Sequence, residues 1–190
     1  MKKKIAIVLL GGTIACTVNE KNECIVVSLK DFCSRFRELD SYDIIVDDFR
    51  QLSGAETRFS DMIDVANEVK RLIGEEQANG VVVVQGTNLM EEMAFGLDIL
   101  LRTDVPVVCT GAMRPATSVS ADGPYNLIDA VAVAACDLCR GMGVLVVMNE
   151  KIHSAQYVRK EHGLCLDAFQ SEFMLGYVAE HVPSLRGRPV

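Results

Sequence analysis

The chain has 190 residues, more than a usual single domain and fewer than two full ones, so one α/β domain with a sizeable core fits its length. Hydrophobic residues make up 49% and charged residues 24%, which excludes a disordered or low-complexity chain. The net charge of −7 lacks the basic footprint of a nucleic-acid binder, and no apolar run nears the roughly 18 residues of a membrane helix.

Lys2, Lys3 and Lys4 precede an aliphatic run from Ile5 to Leu10. That run is shorter than the roughly 7–15 residues of a secretory core, and Gly11 and Gly12 interrupt it. It reads as a first strand buried on both faces. Ser28 and Asp31 then mark a helix start, with Leu29, Phe32, Cys33, Phe36 and Leu39 at helical spacing. Tyr42–Val46 is a second strand, and Met62, Val65, Ala66, Val69, Leu72 and Ile73 stripe a second helix that Gly74 or Gly80 ends. Val81–Val84 is a third strand, and Met90, Met93, Ala94, Leu97, Leu100 and Leu101 form a third helical stripe. Val105–Cys109 is strand four, and Gly123-Pro124 opens a fourth helix lined by Leu127, Val131, Ala134 and Leu138. Val144–Met148 is strand five.

Strands alternating with helices predict one three-layer α/β domain over residues 1–190, with a mostly parallel sheet and right-handed crossovers. From Arg159 to Val190 the rhythm is lost, and this stretch reads as a short hairpin or an extended arm. The seven cysteines are dispersed and odd in number, which fits free thiols in a reducing cytoplasm.

In open parallel sheets, ligands bind beyond the carboxyl ends of the strands. Three predicted strands run into small or hydroxylic residues at that edge: Gly11-Gly12-Thr13, Gln85-Gly86-Thr87-Asn88 and Thr110-Gly111-Ala112. Glycine lets backbone N–H groups approach a ligand, and threonine offers a hydroxyl beside them. Gly11-Gly12-Thr13 lacks the spaced glycines of a dinucleotide fingerprint, and no Walker lysine follows any glycine loop. His153, His162 and His181 lack metal-ligand spacing, and Cys136-x-x-Cys139 has no second pair. No metal and no cofactor are therefore expected. Cys136 and Cys139 read as core residues, and Glu91-Glu92 as a charge pair compensating a helix N-terminus.

Together these residues resemble a known family. Leu9-Leu10-Gly11-Gly12-Thr13-Ile14-Ala15 resembles the first threonine motif of the bacterial-type L-asparaginases and glutaminases. Val84-Gln85-Gly86-Thr87-Asn88-Leu89-Met90-Glu91-Glu92 resembles their second motif, and Gly111–Pro115, Ser120–Pro124 with Asn126-Leu127, and Gly143–Asn149 continue the likeness. The resemblance covers nearly the whole chain. It implies ammonia release from a small, asparagine-like carboxamide through a threonine acyl-enzyme. By position, Thr13 is then the nucleophile, Thr87 assists attack or activates water, and Lys160 holds the proton or lowers the Thr87 pKa. Gly12, Ser53, Gly54, Gly86 and Asn88 fall at substrate-binding positions.

The chain also departs from the family pattern. Asn88 stands where the family has an aspartate, Leu89 where it has a threonine and Gln85 where it has a histidine. An amide cannot carry the charge that pairs with a lysine or a substrate ammonium. No tyrosine lies between Thr13 and Ser28 to serve the first relay. The family's smaller C-terminal domain, which supplies groups to a neighbouring subunit's site, has no counterpart in these residues. The expectation is thus an amidohydrolase that forms a homo-oligomer or pairs with a separate subunit. The other reading is a catalytically impaired small-molecule-binding or partner domain on the same scaffold.

Overall fold

Uninterrupted branched aliphatic runs favour extended backbone and need cover on both faces. In the computed structural model, which describes residues 1–18, 24–26, 28–52 and 57–188, such runs form the middle of one sheet. In chain order the elements are β1 (Lys4–Leu9), β2 (Cys16–Val18), β3 (Cys24–Val26), α1 (Leu29–Cys33), β4 (Asp43–Asp47), α2 (Phe59–Gly74), β5 (Gly80–Val84) and α3 (Met90–Leu100). There follow β6 (Val107–Thr110), α4 (Gly123–Ala134), β7 (Val144–Met148), β8 (Lys151–Ser154), β9 (Arg159–Lys160), β10 (Phe169–Gln170), β11 (Met174–Ala179) and β12 (Val182–Leu185).

The main sheet has eight strands in the order β12-β11-β8-β7-β6-β5-β1-β4. The five predicted strands are its parallel part, β7 through β4. Their side chains alternate between two cores. Ile5, Ile7, Leu9, Val82 and Val84 pack with α4 and with Phe32 of α1. Ala6, Val8, Leu10, Val81 and Val83 pack with α2 and α3. The sheet is thus the middle of three layers, as predicted.

Three expectations change, the smallest being that the fourth helix stops at Ala134 and leaves Leu138 exposed beyond it. The apolar spacing from Leu29 to Leu39 is not one helix. Ser28 caps α1 as its spacing predicts, accepting from Asp31 N–H at 3.4 Å, but the helix stops at Cys33. A 3₁₀ turn at Arg37–Ser41 then carries Leu39 into the same core as Phe32 and Cys33, so burial is satisfied without a continuous helix.

The third change is the sheet's antiparallel extension. The stretch after Arg159 does contain a hairpin, β11–β12, and it joins the main sheet through β8. Both tight turns, Asn149-Glu150 and Glu180-His181, hold two successive residues at positive φ (51° and 64°, 48° and 59°). That is the backbone sense of a type I′ hairpin. His181 is also fixed from below, with its Nδ1 2.7 Å from Oδ1 of the fully buried Asp129 on α4. Burial pushes the Asp129 carboxyl up to about 6, against the lowering effect of His181.

Backbone contact is closest where β5 starts beneath the end of α4. A Cβ at Gly80 would overlap the carbonyl group of Ala134. Forcing strand and helix apart there resembles overpacking of a core, which costs about 1–3 kcal/mol. Gly80→Ala is expected to lower the unfolding free energy by that amount, read as a lower urea midpoint at an unchanged slope; an unchanged midpoint would show that the two elements part freely.

Candidate functional site

The carboxyl ends of β1, β5 and β6 are drawn level by backbone hydrogen bonds. Leu10 N–H donates to Val84 carbonyl at 2.8 Å, and Gln85 N–H donates to Thr110 carbonyl at 3.0 Å. The turns that follow therefore lie side by side. Gly12 has φ +95°, and a Cβ there would sit 2.5 Å from Gly86 N. Only glycine meets both the left-handed backbone and this approach. Thr13 follows Gly12, and Thr87 follows Gly86, so the two threonines flank one backbone contact. Thr13 opens a single 3₁₀ turn, Thr13–Ala15, whose Ile14 is buried against Gly123 at the start of α4.

Lys160 reaches this edge from β9. Its Nζ lies 2.8 Å from Thr87 Oγ1 and 3.4 Å from Asn88 Oδ1. The contact spans 73 positions of sequence. Glu91 Oε2, in the first turn of α3, accepts the backbone N–H of Lys160. Burial lowers the Lys160 pKa from its ordinary value, and the charge of Glu91 pushes it back up. Thr13, Gly12, Gly86, Thr87 and Lys160 are all half-buried, and Asn88 is exposed.

The chain after β4 passes beside the first turn, with Leu52 N–H donating to Leu10 carbonyl at 2.9 Å. Ser53 and Gly54 lie outside the described residues. Gln85 is buried at the end of β5.

A loop after β6 closes the edge on the side of α4. Asp122 accepts the N–H groups of Met113 and Arg114, both at 2.9 Å, and Nδ2 of Asn126 at 3.1 Å. Asn126 also donates to Gly111 carbonyl at 3.0 Å and accepts from Asn149 N–H at 3.0 Å, which ties the ends of β6 and β7 together. Within the sequence, Asp122 and Asn126 stood only as parts of a matching stretch, and nothing in their spacing announced this clamp. Glu91 was legible as a helix-terminal charge but not as a partner of Lys160, since no local pattern encodes a contact across 69 positions.

Residues 4–188 match the family model described as "Asparaginase, N-terminal". The glutaminase-asparaginase of Pseudomonas fluorescens biotype A is 32% identical over 183 residues, covering 93% of this chain and 51% of that protein. L-asparaginase 2 of Bacillus subtilis is 41% identical over 123 residues, covering 64% of this chain and 33% of that protein. The crystal structure of a probable cytoplasmic L-asparaginase from Campylobacter jejuni superposes with a TM-score of 0.91 at 33% identity, covering 100% of this chain and 58% of that one. The chain belongs to the asparaginase family and corresponds to its N-terminal domain. The matched region spans about half or less of these curated relatives' length.

The loop clamp carries a stability prediction. Asp122→Ala removes two charge-assisted backbone bonds and leaves their donors to water, a loss of about 1–3 kcal/mol. Hydrogen exchange at the Met113 and Arg114 amides should speed up accordingly; unchanged protection at both would mean that other contacts hold the loop.

Proposed function

We propose that the chain is the catalytic domain of an amidohydrolase that releases ammonia from a small, asparagine-like carboxamide through a threonine acyl-enzyme. The observation that carries this reading is the 2.8 Å contact between Lys160 Nζ and Thr87 Oγ1, beside the turn that holds Thr13.

An alcohol is a weak nucleophile at neutral pH and needs a base or cation at hand. On this reading Thr13 Oγ attacks the amide carbon. The Oγ–C bond forms and the C–N bond breaks, and the nitrogen leaves as ammonia with the proton that Thr13 gives up. Water then attacks the ester, returning Thr13 as an alcohol and releasing a carboxylic acid. Thr87 directs that water, and Lys160 takes its proton through Thr87 when its amine is neutral. Backbone N–H groups at the Gly12 and Gly86 turns are suited to the oxyanion of each tetrahedral intermediate. Gly12, Gly86 and Asn88 form the substrate cradle, to which the family resemblance adds Ser53 and Gly54 by position in the sequence. The reaction as drawn takes no step through a metal or cofactor.

Asn88 favours a second reading, a binding or partner domain with impaired turnover. Its amide stands 3.4 Å from Lys160, where it offers neither lysine nor substrate ammonium a negative charge. Association is part of both readings. Phe59 and Ile63 on α2 and Phe95 and Ile99 on α3 are exposed, as expected of a domain covered by a second copy or a separate subunit. No described helix is long and apolar enough to cross a membrane, and likeness to the probable cytoplasmic L-asparaginase of Campylobacter jejuni makes the cytoplasm the proposed location.

Ammonia release from asparagine, glutamine and simple amides tests the first reading. Thr13→Ala and Thr87→Ala should each lower turnover by about 10³-fold or more. Release kept by both variants would remove the threonine mechanism, and tight aspartate binding without any release would favour the second reading. Asn88→Asp should raise turnover of α-amino amides about tenfold, the difference between a neutral and a charge-assisted hydrogen bond; no gain at any pH would clear Asn88 of limiting recognition. Light scattering at micromolar concentration should find an oligomer, and a monomer there would contradict self-association.

A further inference from the structure

We infer that Glu91 is the positioning residue of Lys160 and a negative charge that acts on its amine, beside the neutral amide at position 88. The inference deepens the amidohydrolase reading and rests on it for its catalytic meaning.

The groups facing Lys160 can be named from each element around it. The turn after β5 offers Thr87 and Asn88, both neutral. Strand β10, paired with β9, offers Phe169 and Gln170, also neutral. On its own strand and just beyond, Arg159 and Glu161 flank it in sequence. The first turn of α3 brings Glu91 and Glu92. Among these charges, Glu91 is the one whose carboxylate is hydrogen-bonded to Lys160 itself, through the backbone N–H.

That single contact has two effects. It fixes where β9 meets α3, and so where the lysine side chain starts toward Thr87. It also holds a carboxylate at the backbone of a lysine whose amine has a hydroxyl and an amide as its side-chain hydrogen-bond partners. An opposite charge held there favours the protonated amine. Lys160 can take a proton through Thr87 only after losing its own, so the charge of Glu91 governs the pH at which the relay works.

Glu91→Gln separates the two effects, because the amide oxygen can still accept the Lys160 N–H while the charge is gone. The Lys160 pKa can be read without turnover, from the pH dependence of its acetylation by trace acetic anhydride in the folded chain. Glu91→Gln should lower that pKa by roughly half to one unit. The rising limb of the ammonia-release profile should move to lower pH by the same amount. Adding Asn88→Asp to Glu91→Gln should bring the pKa back toward its starting value. A labelling pKa that Glu91→Gln leaves unmoved overturns the inference, as does a double variant that stays at the single variant's value. If Glu91→Gln fails to fold, Glu91→Asp withdraws the charge by one methylene and should give a smaller fall; no fall there overturns it equally. A shifted Lys160 pKa in a chain that releases no ammonia would sink the amidohydrolase reading and leave the Glu91–Lys160 coupling standing.

Discussion

The contact between the Gly12 and Gly86 turns is the constraint on which the site depends. Parallel neighbours in a sheet end at one edge, but their following turns would normally diverge around any side chain between them. With no Cβ at position 12, the backbone closes to Gly86, and a threonine directly follows each of the two glycines. The rest of the domain supports that closure. The two hydrophobic layers hold β1 and β5 in register from Ile5↔Gly80 to Leu9↔Val84. The Asp122–Asn126 clamp then ties the next strand ends to the start of α4.

The antiparallel extension matters because it delivers the lysine. Lys160 sits beyond β8, on a two-stranded piece paired with β10, outside the main sheet. A ribbon of this size is marginal alone. It is tied to the sheet by Lys151 Nζ on β8, which donates to Oδ2 of Asp167 at 2.8 Å, just before β10. Further along, the β11–β12 hairpin is anchored to α4 through His181 and Asp129. Elements that read as irregular in the sequence therefore fix the cation opposite Thr87.

How much of this was legible depended on whether the signal was local. Val81–Val84 and Val144–Met148 announce buried strands because strands covered on both faces need unbroken aliphatic runs. β8 carries polar residues and follows a turn without glycine, Asn149-Glu150, so no strand signal stood out, and the hairpin expected after Arg159 gave no sign that β11 would join the sheet through β8. Thr13, Thr87 and Lys160 were found through motif resemblance, and the structure brings Lys160 to Thr87. Spacing alone could not have paired them. The grip of Glu91 on the Lys160 backbone was hidden for the same reason, because a carboxylate in a helix's first turn is already explained by the helix dipole.

The amide at position 88 weakens two interactions whose effects on the proposed reaction are opposed. A carboxylate beside Lys160 would strengthen its hold on a substrate ammonium and on the lysine's own proton alike. With Asn88 there, both are weaker. Burial already lowers the Lys160 pKa, and a neutral neighbour at position 88 does not oppose that lowering as a carboxylate would. Under the proposed mechanism the chain therefore gives up grip on an α-amino group and gains a readier base. That exchange suits a carboxamide whose recognition does not turn on a positive charge, and under the same proposal the charge of Glu91, bound to the Lys160 backbone from α3, opposes the drift toward the neutral amine.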